Sequence, residues 1–403
     1  MKSSRRSFLE AGLALPAILN TVPTLTETSQ AKIIVTKDSS FDPWVEIHRE
    51  NLRYNVQEIA RRAGGRPILA VIKNNGYGMG VANVAQLLEP QSEIFGFAVV
   101  KFHEAMSLRD AGIRKPVLLM GPFDDKNLGD AAARDIMPMI YTSLGPALDN
   151  IATKLQKPIA LHICVDTGIG RVGVPYYQAS PPIRDLANRK SVQIHGTMMT
   201  FAEDMEFDKE QLQRFQETCG VLEKEGIALG KKHAASSFTL FQHPDAFLDM
   251  VRPGMAIYGI YSENEFRRAG VMDLRPAVSL KARVAYAKKL RMGDSAGYNR
   301  AYMAKEDVWV ATLPVGHADG WPRVAAKGAK VRINDALFPI IASVSASHCI
   351  VEIGREEHVK IGDTATLFDG QQGSRPEDVS EACGASVYDL TMHLNALLPR
   401  RIV

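Results

Sequence analysis

Lys73 stands directly before a turn that contains three glycines, Gly76, Gly78 and Gly80. A lysine amine held out of water has a lowered pKa and can form a Schiff base with an aldehyde. Glycines let the backbone and a bound ligand approach each other closely. Taken alone, the same residues also fit a surface lysine on a tight turn, so both interpretations stay open at this point.

Short apolar runs alternate with amphipathic stretches around this turn. The apolar runs predict strands at 67–72, 94–100, 116–120, 137–141, 158–165 and 192–199. The amphipathic stretches predict helices at 81–88, 102–111, 126–133, 146–155 and 209–225. Apolar runs without polar alternation are typical of parallel strands covered by helices on both faces. This many β-α units favours an α/β fold of the (β/α)8 TIM-barrel type, with its chemistry at the carboxyl ends of the strands, where Lys73 lies.

The pattern changes after about residue 275. Strands separated by Gly, Asp and Asn turns are predicted at 277–290, 308–313, 330–341, 349–353 and 365–367, and helical periodicity returns only at 378–397. We therefore predict two domains, an α/β barrel over 45–274 and a mainly β domain over 275–403. A length of 403 residues suits one large and one smaller domain.

The composition is that of a globular protein with a substantial core. Apolar residues make up 46% of the chain and charged residues 23%. The formal charge of +3 is spread without basic runs, which argues against nucleic acid or an anionic membrane surface as a partner. The four cysteines show no CxxC spacing, so neither a zinc site nor a redox dithiol is predicted, while one disulfide stays possible.

The first 31 residues have the features of a twin-arginine signal peptide followed by a polar segment. Arg5 and Arg6 precede Phe8 and Leu9, and a short apolar stretch follows at 11–19, interrupted by Pro16. This stretch is too short for a stable membrane anchor. A tail with a chance arginine pair is the alternative. We predict a periplasmic protein that is exported folded, and we leave 1–31 out of the fold prediction.

Six segments resemble, in the same order, motifs of alanine racemases and of broad-specificity amino acid racemases. They are 70–80, 165–173, 250–259, 297–302, 312–320, and Tyr388 together with 398–403. The resemblance extends from about Trp44 to Val403. It implies an enzyme that uses pyridoxal 5'-phosphate to interconvert L- and D-amino acids.

The resemblance also implies roles for individual residues. Racemisation removes the α-proton on one face of a planar adduct and returns it on the other, so two bases are needed. The family assigns these roles to residues that match Lys73, which also carries the cofactor, and Tyr298. Arg252 would face the pyridine nitrogen, and because arginine keeps its proton, that nitrogen would stay unprotonated. A structural salt bridge is the alternative for Arg252.

Further residues match the family's cofactor and substrate contacts. The cofactor-binding set is completed by Tyr77, Ser237, Gly254, Met255 and Tyr388. Arg171, His317 and Ala346 match positions near the substrate. For Ser237 and Tyr388 an ordinary hydroxyl at the edge of the core is the alternative, and for Arg171 a solvated loop position. The family arrangement further implies a homodimer in which Tyr298 reaches the partner's barrel, and no metal.

Five residues, two of them a neighbouring pair, depart from the family pattern. Cys164 stands where many alanine racemases have a lysine that supports the arginine loop, and Thr200 stands where a histidine usually helps the catalytic tyrosine. His317 replaces a tyrosine, and the pair Ala346 and Ser347 replaces a larger Met-Asp or Met-Asn pair. Smaller residues would widen the pocket, so we predict a substrate range broader than alanine. A slow or silent enzyme is the alternative.

Two other functions compete with racemisation. A barrel-type decarboxylase or D-amino acid aldolase would use the same cofactor, but the motif at Gly297 and Tyr298 argues against the former. No His/Asp/Cys metal pair near the carboxyl terminus supports the latter. A non-catalytic protein that binds cofactor or amino acid is suggested by the changes at Thr200, His317 and Ala346, whereas the presence of both Lys73 and Tyr298 favours an enzyme.

Overall fold

The apolar runs of the first part of the chain form parallel strands in the computed structural model, which describes residues 41–142 and 144–403. The predicted signal peptide at 1–31 lies outside these residues. The elements up to residue 269 are, in chain order, β1 (Trp44–Ile47), α1 (Arg49–Arg62), β2 (Ile68–Val71), α2 (Lys73–Tyr77), α3 (Val81–Leu88), β3 (Ile94–Val99), α4 (Phe102–Asp110), β4 (Val117–Leu119), α5 (Asp125–Ala133), β5 (Ile136–Ile140), α6 (Gly145–Leu155), β6 (Ile159–Asp166), β7 (Val174–Pro175), α7 (Ser180–Ala187), β8 (Val192–Met198), α8 (Met205–Lys224), β9 (Lys231–His233), α9 (Ser237–Gln242) and α10 (Asn264–Ala269).

Most of these strands form a closed parallel barrel. Their order is β2-β3-β4-β5-β6-β8-β9, and the short β7 pairs with β6. The segment around Val251 closes the ring, because it bridges Ile68 in parallel and accepts from the amide of Leu69 at 2.9 Å. Strands β2, β4 and β5 are buried along their whole length, as expected of strands covered on both faces. The predicted barrel is confirmed.

A second sheet dominates the rest of the chain. Its elements are β10 (Val278–Arg283), β11 (Tyr286–Leu290), β12 (Ser295–Ala296), β13 (Tyr302–Met303), β14 (Val308–Leu313), β15 (Lys330–Ile333), β16 (Ala336–Ile341), β17 (Cys349–Gly354), β18 (Thr364–Phe368), α11 (Pro376–Cys383), α12 (Val387–Met392) and β19 (Arg400–Ile402). Nine strands follow the order β11-β14-β17-β16-β15-β18-β10-β1-β19, and β12 with β13 forms a separate hairpin. The predicted mainly β carboxyl-terminal part is confirmed.

Strand β1 belongs to this second sheet, although the sequence analysis placed residues from 45 onward in the barrel. It pairs antiparallel with β10 and parallel with β19. Glu46 forms an ion pair with Lys281 at 2.6 Å, and the guanidinium of Arg401 lies 4.3 Å from the ring centroid of Trp44. The chain therefore enters the barrel only after it has contributed a strand to the other sheet.

Three predicted elements are each divided in two. The run 277–290 breaks between β10 and β11, and 330–341 is a hairpin whose turn residues Asn334 and Asp335 have φ of 49° and 65°. Asn and Asp tolerate this left-handed conformation, which tight hairpin turns require. The stretch 378–397 forms α11 and α12, separated at Gly384, whose φ is 75°.

Within the part of the chain that the structure describes, no helix is long and apolar enough to cross a membrane. The four cysteines are buried and carry free thiols, so the disulfide that the sequence left open is not formed.

Candidate active site

Lys73 lies at the carboxyl end of β2, at the mouth of the barrel. Just before Lys73, the amide of Ile72 donates a hydrogen bond to the carbonyl of Ala98 on the neighbouring strand at 2.9 Å. The chain then turns sharply, because Asn74, Asn75 and Gly76 have φ of 54°, 56° and 64°. Asn and Gly are the residue types that adopt this left-handed conformation most readily. The turn therefore ends the strand and leaves the lysine side chain at the barrel opening.

Glu104 holds the lysine turn in place. Its carboxylate accepts from the amide of Asn75 at 2.7 Å and from the amide of Lys101 at 3.1 Å, and its side chain is buried. Burial lowers the pKa of the Lys73 amine, the positive charge of Arg171 lowers this pKa further, and the carboxylates of Glu104 and Glu203 oppose the change. Lys73 thus has an increased share of the free amine, the form that acts as nucleophile or base.

The carboxyl-terminal part of the chain packs against this turn. A Cβ at Gly78 would lie 2.1 Å from the carbonyl oxygen of Thr391 in α12, so the two backbones are in close contact. The guanidinium of Arg400 donates to the carbonyl of Gly78 at 2.7 Å. Helix α12 also carries Tyr388, whose pKa is raised by burial and by Glu203. The contact brings a residue from the end of the sequence to the lysine turn.

A second turn, at Gly254, faces Tyr77 and Ser237. The hydroxyl oxygen of Ser237 accepts from the amides of Gly254 at 2.9 Å and of Ala256 at 3.2 Å, which leaves its own proton to donate. A Cβ at Gly254 would meet the hydroxyl of Tyr77 at 2.1 Å. Tyr77 is buried and has an unusual φ of 54°. Met255 follows directly in the short helical turn Met255–Tyr258.

Arg252 is buried beneath these turns and makes four contacts through its two terminal nitrogens. It donates to the carbonyls of His233 at 2.7 Å, Met199 at 2.8 Å and Ala234 at 3.3 Å, and it contacts Nδ1 of His233 at 2.9 Å. Burial lowers the pKa of the Arg252 guanidinium to about 10. The group therefore keeps its charge at neutral pH and is fixed in orientation. No carboxylate pairs with it among the described residues, so the alternative of a structural salt bridge is not supported.

The loop after β6 carries Arg171, which is exposed. Asp166 orders the loop by accepting from the amides of Gly168 at 2.9 Å and Gly170 at 3.2 Å. Cys164, at the position where the resemblance leads one to expect a supporting lysine, contacts the carbonyl of Val172 at 3.6 Å through its thiol. Burial raises the pKa of this thiol to about 11, so the thiol stays neutral and supports the loop by a weak contact instead of by charge.

Tyr298 belongs to a separate cavity. Its side chain is 77% exposed and follows Gly297, whose φ is 74°. The cavity has a volume of about 330 Å³, and every residue that lines it comes from the carboxyl-terminal part of the chain. These residues are Tyr298, His317, Arg323, Ser343, Val344, Ser345 and Ala346. His317 contacts Nη2 of Arg323 at 2.8 Å through Nε2. The predicted site residues therefore fall into two clusters, one around Lys73 and one around Tyr298.

Four side chains in these clusters were not predicted from the sequence: Glu104, Glu203, His233 and Arg323. Glu104 is the third residue of α4. An acidic residue at this position often accepts a hydrogen bond from the backbone at the start of the helix, and this pattern can be recognised in a sequence. Glu203 follows Thr200 by three residues in the loop after β8, and this loop has no local pattern that would reveal an active-site carboxylate. His233 and Arg323 are recognisable only through the residues they contact.

Comparison with known proteins gives a consistent result. The family model for the alanine racemase N-terminal domain matches residues 47–262, and that for the alanine racemase C-terminal domain matches residues 277–402. This chain belongs to the alanine racemase family. Alanine racemase from Clostridium tetani is 31% identical over 366 residues, which are 89% of this chain and 94% of the relative. Alanine racemase from Desulforamulus reducens is 31% identical over 364 residues, which are 89% of this chain and 98% of the relative.

Solved structures of the family share the fold. Alanine racemase of Clostridium difficile superposes with a TM-score of 0.83 at 27% identity, covering 90% of this chain and 96% of that one. The alanine racemase of Bacillus anthracis with bound L-Ala-P superposes with a TM-score of 0.80 at 28% identity, covering 90% and 95%. The chain is therefore an amino acid racemase, an isomerase, and enzymes of this family depend on pyridoxal phosphate.

The residues around Lys73 fit that cofactor. A half-buried lysine with a lowered pKa suits an aldehyde, and the free hydroxyl proton of Ser237 together with the amide of Met255 suits a phosphate. Gly254 leaves room for the approach, although its own amide donates to Ser237 in this structure. Among the described residues, no cluster of His, Cys, Asp or Glu could hold a metal ion.

Proposed function

We propose that this racemase acts by a two-base mechanism, with Lys73 on one face of the substrate and Tyr298 on the other, and that it accepts amino acids beyond alanine. The observation that carries the proposal is the amine of Lys73. It lies at the mouth of the barrel, with a pKa lowered by burial and by Arg171. Such an amine is unprotonated more often than that of an exposed lysine, and so it is more available as a base.

Each side chain has a definite task in this mechanism. Lys73 takes the α-proton of one enantiomer and Tyr298 returns a proton from the opposite side, and the roles reverse in the other direction. Arg171 attracts the substrate carboxylate. Arg252 donates towards the cofactor ring and keeps its own proton. Lys73 would hold pyridoxal phosphate when the site is at rest, and the cofactor would supply delocalisation of the charge left by the departing proton.

A homodimer with shared sites is part of the proposal. Tyr298 is 77% exposed in the single chain, and the residues that line its cavity all come from the carboxyl-terminal part. A second copy that presents its barrel mouth to this cavity would cover the tyrosine and bring it to Lys73. Two-fold symmetry would then create two identical sites.

The broader substrate range rests on the cavity around Tyr298. Ala346 has only a methyl side chain, and Nε2 of His317 contacts Nη2 of Arg323 at 2.8 Å along the wall of the cavity. A wide pocket with small residues rejects longer side chains less strongly than a filled one. We therefore expect turnover of amino acids with larger side chains in addition to alanine.

Chiral analysis of the products from a panel of amino acids tests the mechanism and the range. The purified protein should racemise alanine and several larger amino acids. Lys73→Ala and Tyr298→Phe should each lose most of the activity, since each removes one of two necessary proton carriers. Strict preference for alanine contradicts the broader range. Retained cofactor absorbance without exchange of the α-proton in D₂O favours a binding protein, and release of CO₂ or an aldehyde favours another barrel enzyme.

We also propose that the enzyme works in the periplasm and is exported folded. The support is the sequence of the first residues, where Arg5 and Arg6 precede an apolar stretch. Cell fractionation should find a shortened protein in the periplasm, and changing both arginines to lysine should keep it in the cytosol. Recovery of the unprocessed chain in the cytosol alone contradicts this location.

A further inference from the structure

A chain of three hydrogen-bonding side chains runs inside the barrel beneath the cofactor-binding turns. Nδ1 of His162 lies 2.8 Å from Nε2 of His233, and Nδ1 of His233 lies 2.9 Å from Nη1 of Arg252. The exposed fractions are 1%, 0% and 6% for His162, His233 and Arg252, respectively. The racemisation mechanism described above assigns no role to His162.

Only one arrangement of protons satisfies both contacts. Arginine has donors and no acceptor, so Nδ1 of His233 must accept from Arg252. A neutral imidazole carries one proton, which places the proton of His233 on Nε2 and makes Nδ1 of His162 the acceptor. Both rings are neutral, because burial lowers the pKa of His162 to about 3 and that of His233 well below its usual value. Arg252 therefore sets the tautomer of His233, and His162 accepts the proton that this tautomer places on Nε2.

Gly196 leaves the space that the ring of His162 needs to reach His233. His162 in β6 pairs with Gly196 in β8. A Cβ at residue 196 would lie 2.5 Å from Nδ1 of His162 and 2.6 Å from its Cε1. Any side chain larger than hydrogen would therefore push the ring away from His233. The absence of a side chain at this point in a strand is typical of a close approach by another group.

We propose that His162 is a positioning residue for racemisation, which accepts a hydrogen bond from His233 and so fixes the acceptor that orients Arg252 towards the cofactor ring. His162 touches neither substrate nor cofactor in this proposal and acts through two intervening groups. The proposal rests on the proposed function in one respect, namely the placement of the cofactor ring beside Arg252. His162 lies in β6, at a sequence position that carries no catalytic signature.

Substitutions of His162 separate this role from simple packing. His162→Leu introduces an apolar side chain of similar size that offers no acceptor, whereas His162→Asn places an amide oxygen near the position of Nδ1. Gly196→Ala keeps the imidazole and displaces it. His195→Asn is the matched control, because His195 is the exposed neighbour of Gly196 and acts on His162 only through its charge, not as a member of the hydrogen-bonded chain.

The first measurement is the ¹⁵N NMR spectrum of the histidine rings, which distinguishes the two tautomers and does not require turnover. In the unaltered protein, His233 should be protonated on Nε2 alone. His162→Leu and Gly196→Ala should shift the Nε2 resonance of His233, because its proton loses its acceptor, whereas His162→Asn and His195→Asn should leave this resonance in place. An unchanged His233 signal in His162→Leu overturns the proposal.

The second measurement is racemisation with the cofactor bound. His162→Leu and Gly196→Ala should lower kcat about tenfold, the effect of one lost hydrogen bond, with little change in KM. His162→Asn should recover most of the rate. If His162→Asn is as slow as His162→Leu, His162 contributes packing only and the proposal fails. If the unaltered protein racemises nothing, the proposed function fails, and the NMR result still decides whether His162 accepts the proton of His233.

Discussion

Burial and the charges of neighbouring side chains together set the pKa of the Lys73 amine. Burial and Arg171 lower the pKa of the amine, and Glu104 and Glu203 act in the opposite direction. Glu104 is engaged with two backbone amides, whereas the side chain of Glu203 lies in an exposed loop. The amine can therefore be tuned through Glu203 without disturbing the turn that holds it.

Glu203→Gln should move the ascending limb of the pH profile of kcat to lower pH. Removing a carboxylate that stabilises the protonated amine lowers the pKa of Lys73, and a base is active when deprotonated, so activity should begin at lower pH. Because Glu203 acts on the pKa of the amine less than burial, Arg171 and Glu104 do, we expect a small shift.

Glu206→Gln is the control for this experiment. Glu206 belongs to the same region but forms a surface ion pair with Lys209 at 2.9 Å. Its substitution should leave the profile unchanged. An upward shift in Glu203→Gln, or an equal shift in both variants, contradicts the assignment.

The sequence predicted some of these residues and missed others for a physical reason. Lys73, Arg252 and Tyr298 lie in contiguous motifs whose residue types can be read locally. The contact between His162 and His233 joins positions 71 residues apart, and neither segment shows a pattern that would single it out. Supporting contacts of this kind depend on how strands lie beside one another, which single residues do not reveal.

At the scale of elements, the turn after β2 and helix α12 behave as one unit. Gly78 and Thr391 are separated by most of the chain, yet a Cβ at Gly78 would lie 2.1 Å from the carbonyl oxygen of Thr391. Arg400 adds two hydrogen bonds to the carbonyl of Gly78. The position of Lys73 therefore depends on residues from the end of the sequence.

Gly78→Ala should weaken cofactor binding and lower the free energy of unfolding. The φ of 90° costs an alanine about 1–2 kcal/mol, and the clash with Thr391 adds about 1–3 kcal/mol. Urea denaturation and titration with pyridoxal phosphate measure the two effects.

Gly112→Ala provides the comparison, because Gly112 has a similar φ of 81° with nothing within 4 Å of the added Cβ. It should show only the conformational cost, about 1–2 kcal/mol, and normal cofactor affinity. Equal effects of the two substitutions contradict a specific role for the contact with α12.

Most elements were predictable because apolar periodicity alone determines them. The helix predicted at 81–88 is observed at Val81–Leu88, and the strand predicted at 308–313 is observed at Val308–Leu313. Strand β1 was not placed correctly, since a short strand shows which of its faces is apolar but not which sheet it joins. Turn residues such as Asn334 and Asp335 were present in the sequence but were read as part of one long strand.

In the assembled protein, the cluster around Lys73 and the cluster around Tyr298 can come from two different chains. Two variant chains mixed together test this arrangement. If each site combines Lys73 of one chain with Tyr298 of another, a mixed dimer of the Lys73→Ala and Tyr298→Phe chains contains one intact site. The separate variants should be nearly inactive. Their mixture, unfolded and refolded together, should recover about a quarter of the normal activity, because half of the dimers are mixed and each has one of two sites.

Sedimentation analysis should find dimers in each of these samples. No recovery in the refolded mixture, alongside full recovery of the unaltered protein treated in the same way, would mean that both bases come from one chain.

The place of β1 in the second sheet bears on the timing of folding. Its neighbours are β10 and β19, and the register of β19 extends to Ile402, so the ribosome must reach the last residues before β1 has both partners. Pairings between distant parts of a chain form slowly. The second sheet is therefore completed only after translation has reached β19, long after β1 has been made.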